Sequence, residues 1–318
     1  MFATAGGTAR SDITAWIESP VGDDLQRPQL EIVVGAGMDR ALLDVVFGSH
    51  VRFLCGTDYA STLETSTSDL LAAVALQKLL NETREAGSPE ASQLDARIRS
   101  TIGYLTSAQN DDGGWSWTGA AGASDRRASA RVVWALSAAK AAGYTITPAG
   151  HEKALQFVAS QQAAIGDDDL DGKAVLLHAL AEAGRGDFAV ANRLYRSRTS
   201  LSVAGGAYLA LALIKMDHTP MAADLLTTLV ARAPEPKATE RTATNTVPSR
   251  LAAVEETALL ALALGRAKAD APRRKENVER LLSERRGNRW SPDRATGPAV
   301  AALAEWSSEN RPGGERYE

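Results

Sequence analysis

The stretch DYASTLETSTSDLLAAVAL, residues 58–76, crowds hydroxyl side chains around one carboxylate, Glu64, directly before an apolar run. A nucleophilic serine here would need a base in hydrogen-bond reach, oriented in turn by a third group. The four histidines, His50, His151, His178 and His218, are scattered, and spacing assigns none of them to Ser61. Helix initiation is the stronger reading: Ser61 or Thr62 caps a free backbone N–H, and Glu64 sits in the first turn, where the helix dipole favours an anion. Two carboxylate pairs, Asp111 with Asp112 and Glu255 with Glu256, have the residue types of a glycosidase acid and base. The first pair lies in a Gly-rich turn and the second at the start of a helical stretch, where solvated or capping roles are ordinary. Only Trp115, Trp117 and Trp134 are placed to line a sugar cleft. DDDLD (167–171) spaces Asp167, Asp168 and Asp171 so that they could hold Mg²⁺-diphosphate or a surface cation, yet it stands just before a helical stretch that acids cap well. Cys55 is the single cysteine and no two histidines fall at ligand spacing, so neither a metal nor any other cofactor is expected. Cys55 itself reads as a small buried hydrophobe.

Of the 318 residues, 44% are hydrophobic and 5% aromatic, and the net charge is −4. A large core is available to a chain of this length. The charge leaves no electrostatic footprint for nucleic acid or an anionic membrane. No apolar run reaches 18 residues, so no membrane span is expected. The first residues have neither the basic nor the apolar region of a signal peptide, which leaves the compartment open.

Residues 1–29 are polar and aperiodic and read as an N-terminal arm. LEIVVGAG, 30–37, reads as a short strand ended by glycine. From Met38 the apolar period becomes 3.6, and twelve helical segments follow: 38–54, 65–86, 90–109, 125–142, 147–162, 171–184, 186–199, 203–216, 219–232, 250–268, 272–286 and 295–308. Ser88-Pro89, Thr147-Pro148 and Thr219-Pro220 place a hydroxyl cap before a first-turn proline. Gly87, Gly143 and Gly184 fall where a left-handed C-cap is wanted. The Pro-, Thr- and charge-rich stretch 233–250 reads as a long exposed loop, and 310–318 as a polar tail. The expected fold is therefore all-α: six helical hairpins over 30–309, closed into an α/α toroid, with an open solenoid as the competing geometry. Leu70–Leu80, Val132–Ala142, Val175–Ala183 and Thr257–Leu264 are apolar all round and suit its inner helices.

Tyr104-Leu105, Gln109, Gly113 and Trp115 resemble the QW signature of α/α-toroid proteins, which include squalene cyclases and protein prenyltransferases. The glutamine can bond helix-end backbone groups and the tryptophan can wedge between hairpins, so both roles are architectural. Arg285 and Trp290 form a weaker echo. The DxDD of class II cyclases that share this fold is absent. Seven segments in order, from LEIVVGAGMDRALLD through YASTLETSTSDLLAAVAL and SAQNDDGGWSWTG to LLSERRGNRWSPDRATGPAVAALAEW, resemble the thioester domain of bacterial α2-macroglobulin-like proteins. That family carries Gly-Cys-x-Glu-Gln-Thr at this point. Aligned on Thr65, Ala60, Ser61, Thr62, Leu63 and Glu64 stand over Gly, Cys, x, Glu and Gln, so the thiol and the amide of the thioester are both missing. Asp58, three residues after Cys55, leaves that cysteine without a glutamine partner as well. The resemblance implies an extracytoplasmic part of a protease trap, with neighbouring β-sandwich domains and proteases as partners, acting without covalent capture and without enzymatic activity. An enzyme on the same toroid, cyclase-like or carbohydrate-active, and a free-standing interaction scaffold are the alternatives.

Overall fold

The computed structural model describes residues 38–47, 62–82, 87–117, 122–232, 247–285 and 289–310. Among them are twelve α-helices: α1 (Asp39–Phe47), α2 (Leu63–Glu82), α3 (Pro89–Ser107), α4 (Arg126–Ala141), α5 (Pro148–Ala164), α6 (Leu170–Glu182), α7 (Phe188–Arg196), α8 (Val203–Lys215), α9 (Thr219–Arg232), α10 (Val247–Ala267), α11 (Ala271–Glu284) and α12 (Asp293–Glu309). No strand occurs among the described residues; Ser116 and Ser124 form an isolated bridge. The even-numbered helices touch in the order α2, α4, α6, α8, α10, α12, and α12 packs back on α2. Each odd-numbered helix fills the outer groove between two of them, α1 between α12 and α2, α3 between α2 and α4, and so on round to α11. The ring is closed, which rules out the open solenoid.

Composition explains which helix goes inside. From Gly205 to Leu213, α8 is buried on every face, as a helix walled by others on all sides must be. By contrast α11 buries only Arg274, Asn277, Val278 and Leu281, a single inward stripe. Small residues set the close approach where the ring shuts. A Cβ on Gly297 of α12 would lie 2.9 Å from the Leu71 Cβ and 3.0 Å from the Ser68 carbonyl oxygen of α2. The seam is also polar: the Ser68 hydroxyl donates to the Asp293 carbonyl at 2.6 Å and accepts from the Gly297 N–H at 2.8 Å. Asp69 takes both Arg97 and Arg289, at 3.0 and 2.6 Å.

The joints follow the sequence reading with four corrections. Ser88 caps α3 through the Ala91 N–H at 3.1 Å, whereas Thr147 occupies the cap position of α5 without a side-chain bond and Thr219 is already the first residue of α9. Gly143 and Gly184 have the left-handed φ of +93° and +77°. Gly87 does not adopt a left-handed φ. Finally, α10 spans Val247–Ala267, so it is already helical three residues before 250. The strand at 30–37, the arm 1–29, the tail beyond 310, most of the long loop (233–246), Cys55, Ala60 and Ser61 lie outside the described residues.

Candidate functional site at the mouth of the ring

Inner helices joined through returning outer ones all run the same way, so their N-termini gather at one end of the axis. Four charged side chains meet there. Arg131 of α4 bonds Glu255 of α10 at 2.9 Å. Since α4 and α10 stand on opposite sides of the ring, this ion pair crosses the axis. Arg294 of α12 bonds the other Glu255 oxygen at 2.6 Å and lies 3.6 Å from Glu64 of α2. The Tyr208 hydroxyl of α8 donates to Glu255 at 3.4 Å. Two guanidinium groups against two carboxylates leave the layer neutral, which buried charges require. Burial works against the charge of Arg131, but Tyr208, Glu255 and Glu64 outweigh it and its pKa is raised. Burial pushes the Tyr208 phenol up to about 12, so it stays a donor.

Beneath this layer the axis is filled by aromatic rings. Trp134 meets His178 edge-on at 4.6 Å and Tyr208 at 6.1 Å. A second charge layer closes the far end, where Glu182 faces Arg266 at 3.3 Å, Lys215 at 3.5 Å and His178 at 3.5 Å, and Arg266 also reaches Glu305 at 3.0 Å. Outside the mouth lies an open cleft of about 320 Å³ lined by Trp117, Arg127, Asp171, Tyr208, Glu255 and Arg294 among others. Trp117 is 52% exposed at its rim.

The far layer makes the ring acid-sensitive. His178 is 1% exposed, and burial lowers its pKa from 6.5 against the pull of Glu182. The unfolded chain therefore binds more protons at this residue below pH 6.5, so its contribution to stability is complete above that pH and is lost as pH falls through it. Burial lowers His151 in the same sense. Burial pushes Glu182 up, but His178, Arg266 and Lys215 hold it down at about 2. Its contribution is complete above pH 4.5 and is lost as pH falls toward 2. Thermal midpoints are expected to be level above roughly pH 7 and to fall below 6.5, with the first part of that fall reduced in His178→Gln. A midpoint that rises on acidification contradicts this arrangement.

The residues singled out in the sequence take various positions. Thr62 caps α2, its hydroxyl oxygen accepting the Thr65 N–H at 3.1 Å. Leu63 is buried at 1% exposure, and Thr65 donates to Asp293 at 2.6 Å. Glu64 is in the first turn as expected, but it faces Arg294 in the mouth rather than solvent. Glu255 is the clearest departure from the expectation of a solvated or capping role. It lies two turns inside α10, is 6% exposed and is held by two arginines. Glu256 is half-buried, its pKa raised by burial and by Glu255 and Asp171. Asp112 bonds the Gly114 N–H and the Ser124 hydroxyl.

The three loop aspartates diverge: Asp167 pairs with Lys173, Asp171 accepts the Ser202 N–H at 3.0 Å, and Asp168 is exposed. Asp169, between them, caps α6 through the Gly172 N–H at 2.8 Å. Among the described residues no three of His, Cys, Asp or Glu come together as metal ligands.

Gln109, Gly113 and Trp115 form one joint. Gln109 donates to the carbonyls of Gly113 and of Gly150 in α5, both at 2.9 Å. The buried Trp115 donates to the Leu105 carbonyl at 2.7 Å, and Tyr104 is partly buried against the core. Gly113 has φ +90°, and a Cβ there would stand 2.4 Å from the Lys153 carbonyl oxygen. The same joint recurs eight helices later, between α11 and α12. Trp290 donates to the Leu281 carbonyl at 2.7 Å. Arg285 donates to the Ala41 carbonyl of α1 at 2.8 Å, linking α11 to the next outer helix as Gln109 links α3 to α5.

A closed ring of six helix pairs around parallel inner helices is an α/α toroid. No protein-family model matches the chain, and no curated protein matches it significantly. Solved structures of bacterial α2-macroglobulin share its fold. A crystal structure of the native Escherichia coli protein, from domain MG7 to the C-terminus, superposes with TM-score 0.61 at 15% identity, over 84% of this chain and 42% of that one. The native E. coli protein seen by cryo-electron microscopy gives 0.62 at 15% identity, and Salmonella α2-macroglobulin reacted with methylamine gives 0.60 at 18%. Each of these two is covered over 17% of its length, and 83% of this chain takes part. The chain thus corresponds in fold to a region within a much longer protein.

Proposed function

We propose that the chain is the toroid of an α2-macroglobulin-like protease inhibitor whose thioester has been lost, so that it acts by contact and steric hindrance rather than by covalent capture. The observation that carries the reading is Glu64. Where the resembling family places a glutamine whose acyl group is the electrophile, this chain has a carboxylate facing Arg294 in a neutral charge layer. A free carboxyl group is not an acylating group, and Ser61 offers a hydroxyl in place of the thiol. The likeness in fold to bacterial α2-macroglobulin supports the setting. It brings with it neighbouring β-sandwich domains, proteases as partners and an extracytoplasmic site of action. The toroid-enzyme alternative calls for a deep cavity along the axis. Among the described residues that axis is filled by Arg131, Glu255, Trp134, His178 and Tyr208, which weighs against it.

The test uses the full-length protein that contains this region, mixed with a protease. The expected outcome is protection of the protease from large substrates but not from small ones, with unmodified protease recovered on denaturation. Unchanged cleavage of large substrates overturns the proposal.

A further inference from the structure

Of the three tryptophans placed by the sequence to line a sugar cleft, Trp115 and Trp134 are buried, at 1% and 3% exposure, and Trp117 alone is open to solvent. Among the described residues the other exposed large apolar side chain, Phe188, is covered on one face by the His218 ring at 4.0 Å, whereas Trp117 meets no second ring. Trp117 stands on the rim of the 320 Å³ cleft outside the mouth, a volume at the lower end of the roughly 300–1,000 Å³ of small-molecule sites. The arginines of the walls are already matched. Arg131 and Arg294 are spent on Glu255, and Arg127 bonds Asp169 at 2.9 Å. What remains for a guest is a set of accessible hydrogen-bonding groups. Asp125 gives one oxygen to the Ala128 N–H at 2.7 Å and Asp171 gives one to the Ser202 N–H at 3.0 Å. The second oxygen of each bonds no group among the described residues. The Arg127 side chain is 49% exposed and commits one nitrogen of its fork, leaving further N–H groups to donate. The Ser202 hydroxyl accepts the Gly205 N–H at 3.0 Å and keeps its own proton to donate. Gly205 leaves room for Asp171, since a Cβ there would stand 1.9 Å from the carboxylate oxygen.

We propose that this cleft is a carbohydrate-binding site, which seats a pyranose ring of a mono- or disaccharide with its apolar face on Trp117 and its hydroxyls on Asp125, Asp171, Arg127 and Ser202. An exposed indole offers a flat apolar surface to the C–H face of such a ring. Each sugar hydroxyl both donates and accepts, so it can bridge a carboxylate oxygen and a guanidinium N–H at once. Other guests fit less well. An inorganic anion meets Asp125, Asp171 and Glu255, and a metal ion meets Arg127, Arg131 and Arg294. A wholly apolar ligand would take these polar groups out of water without replacing their hydrogen bonds. A neutral polyol incurs neither penalty. The inference rests on the cleft and its rim and does not depend on the proposed function, so its failure leaves that reading untouched.

The test is saturation transfer from the native protein to methyl glucoside, methyl galactoside, N-acetylglucosamine and the β-1,4-linked disaccharide of the last. At least one is expected to receive saturation, most strongly at the ring C–H protons of one face. Trp117→Ala removes a side chain that is half exposed, so the thermal midpoint should hold while the signal is lost. Asp171→Asn keeps an acceptor for the Ser202 N–H and is expected to weaken binding about 2- to 10-fold, the effect of one hydrogen bond. No saturation of any of the four sugars overturns the proposal, as does a signal that Trp117→Ala leaves unchanged. Saturation of butyltrimethylammonium with the sugars silent also overturns it, because the cleft would then be a site for organic cations.

Discussion

Replacing Glu255 by alanine is expected to lower the midpoint of thermal unfolding by roughly 6–15 °C. The carboxylate is 6% exposed and is the common partner of Arg131, which reaches it across the axis from α4, and of Arg294 on the adjacent α12. Its loss leaves two guanidinium groups in the mouth with only Glu64 to oppose them. Breaking a buried ion pair by removing one partner costs about 3–5 kcal/mol, and for a chain of this size each kcal/mol moves the midpoint by about 2–3 °C. The penalty lies in the uncompensated charge, so exchanging all four members of the layer, Glu64, Arg131, Glu255 and Arg294, for apolar residues of similar volume is expected to recover most of the lost stability. A Glu255→Ala protein that melts within a degree of the wild type contradicts the picture of a plugged axis.

Truncating Trp115 to alanine is expected to cost about 3–5 kcal/mol through the cavity it leaves. The change also removes the indole donor from the Leu105 carbonyl, which is buried with it. Trp115→Phe separates the two effects. It retains most of the ring volume but leaves that carbonyl without its partner, at about 1–3 kcal/mol. Trp290 has the same environment at the α11–α12 joint, so Trp290→Ala should match Trp115→Ala. The two losses should add in the double variant, because the joints share no partner. Denaturant unfolding gives these differences. A Trp115→Ala change worth under 1 kcal/mol would mean that the joint can close over the gap.

Much of the fold is legible in residue patterns, because period and capping are local. The apolar runs of α2, α4, α6 and α10 mark inner helices without reference to anything distant in the chain. Trp115 is also local: its bond to Leu105 spans ten residues of one turn. Closure of the ring is less local, since it depends on Ser68 and Gly297, 229 residues apart. The charge layer is the least legible. Nothing near Glu64 points to Arg294, and nothing near Arg131 points to Glu255, 124 residues on. A hint does exist in the form of charges that enter apolar runs, such as Arg131 before VVWAL and Glu255 before ETALLALALG. A charge in such a setting must find a partner in the core. Glu255 was misread because α10 begins earlier than its apolar period suggests, which moves that residue from the helix start to the helix interior.

The most direct measurement is labelled methylamine offered to the native protein, followed by mass analysis of the peptide carrying residues 61–64. A stored acyl–sulfur ester reacts with the amine and adds its mass at the acyl residue. The expected result is an unmodified peptide with Ser61 and Glu64 intact, before and after exposure to a protease. Incorporation of the amine at Glu64 or its neighbours would show an electrophile there and contradict the account.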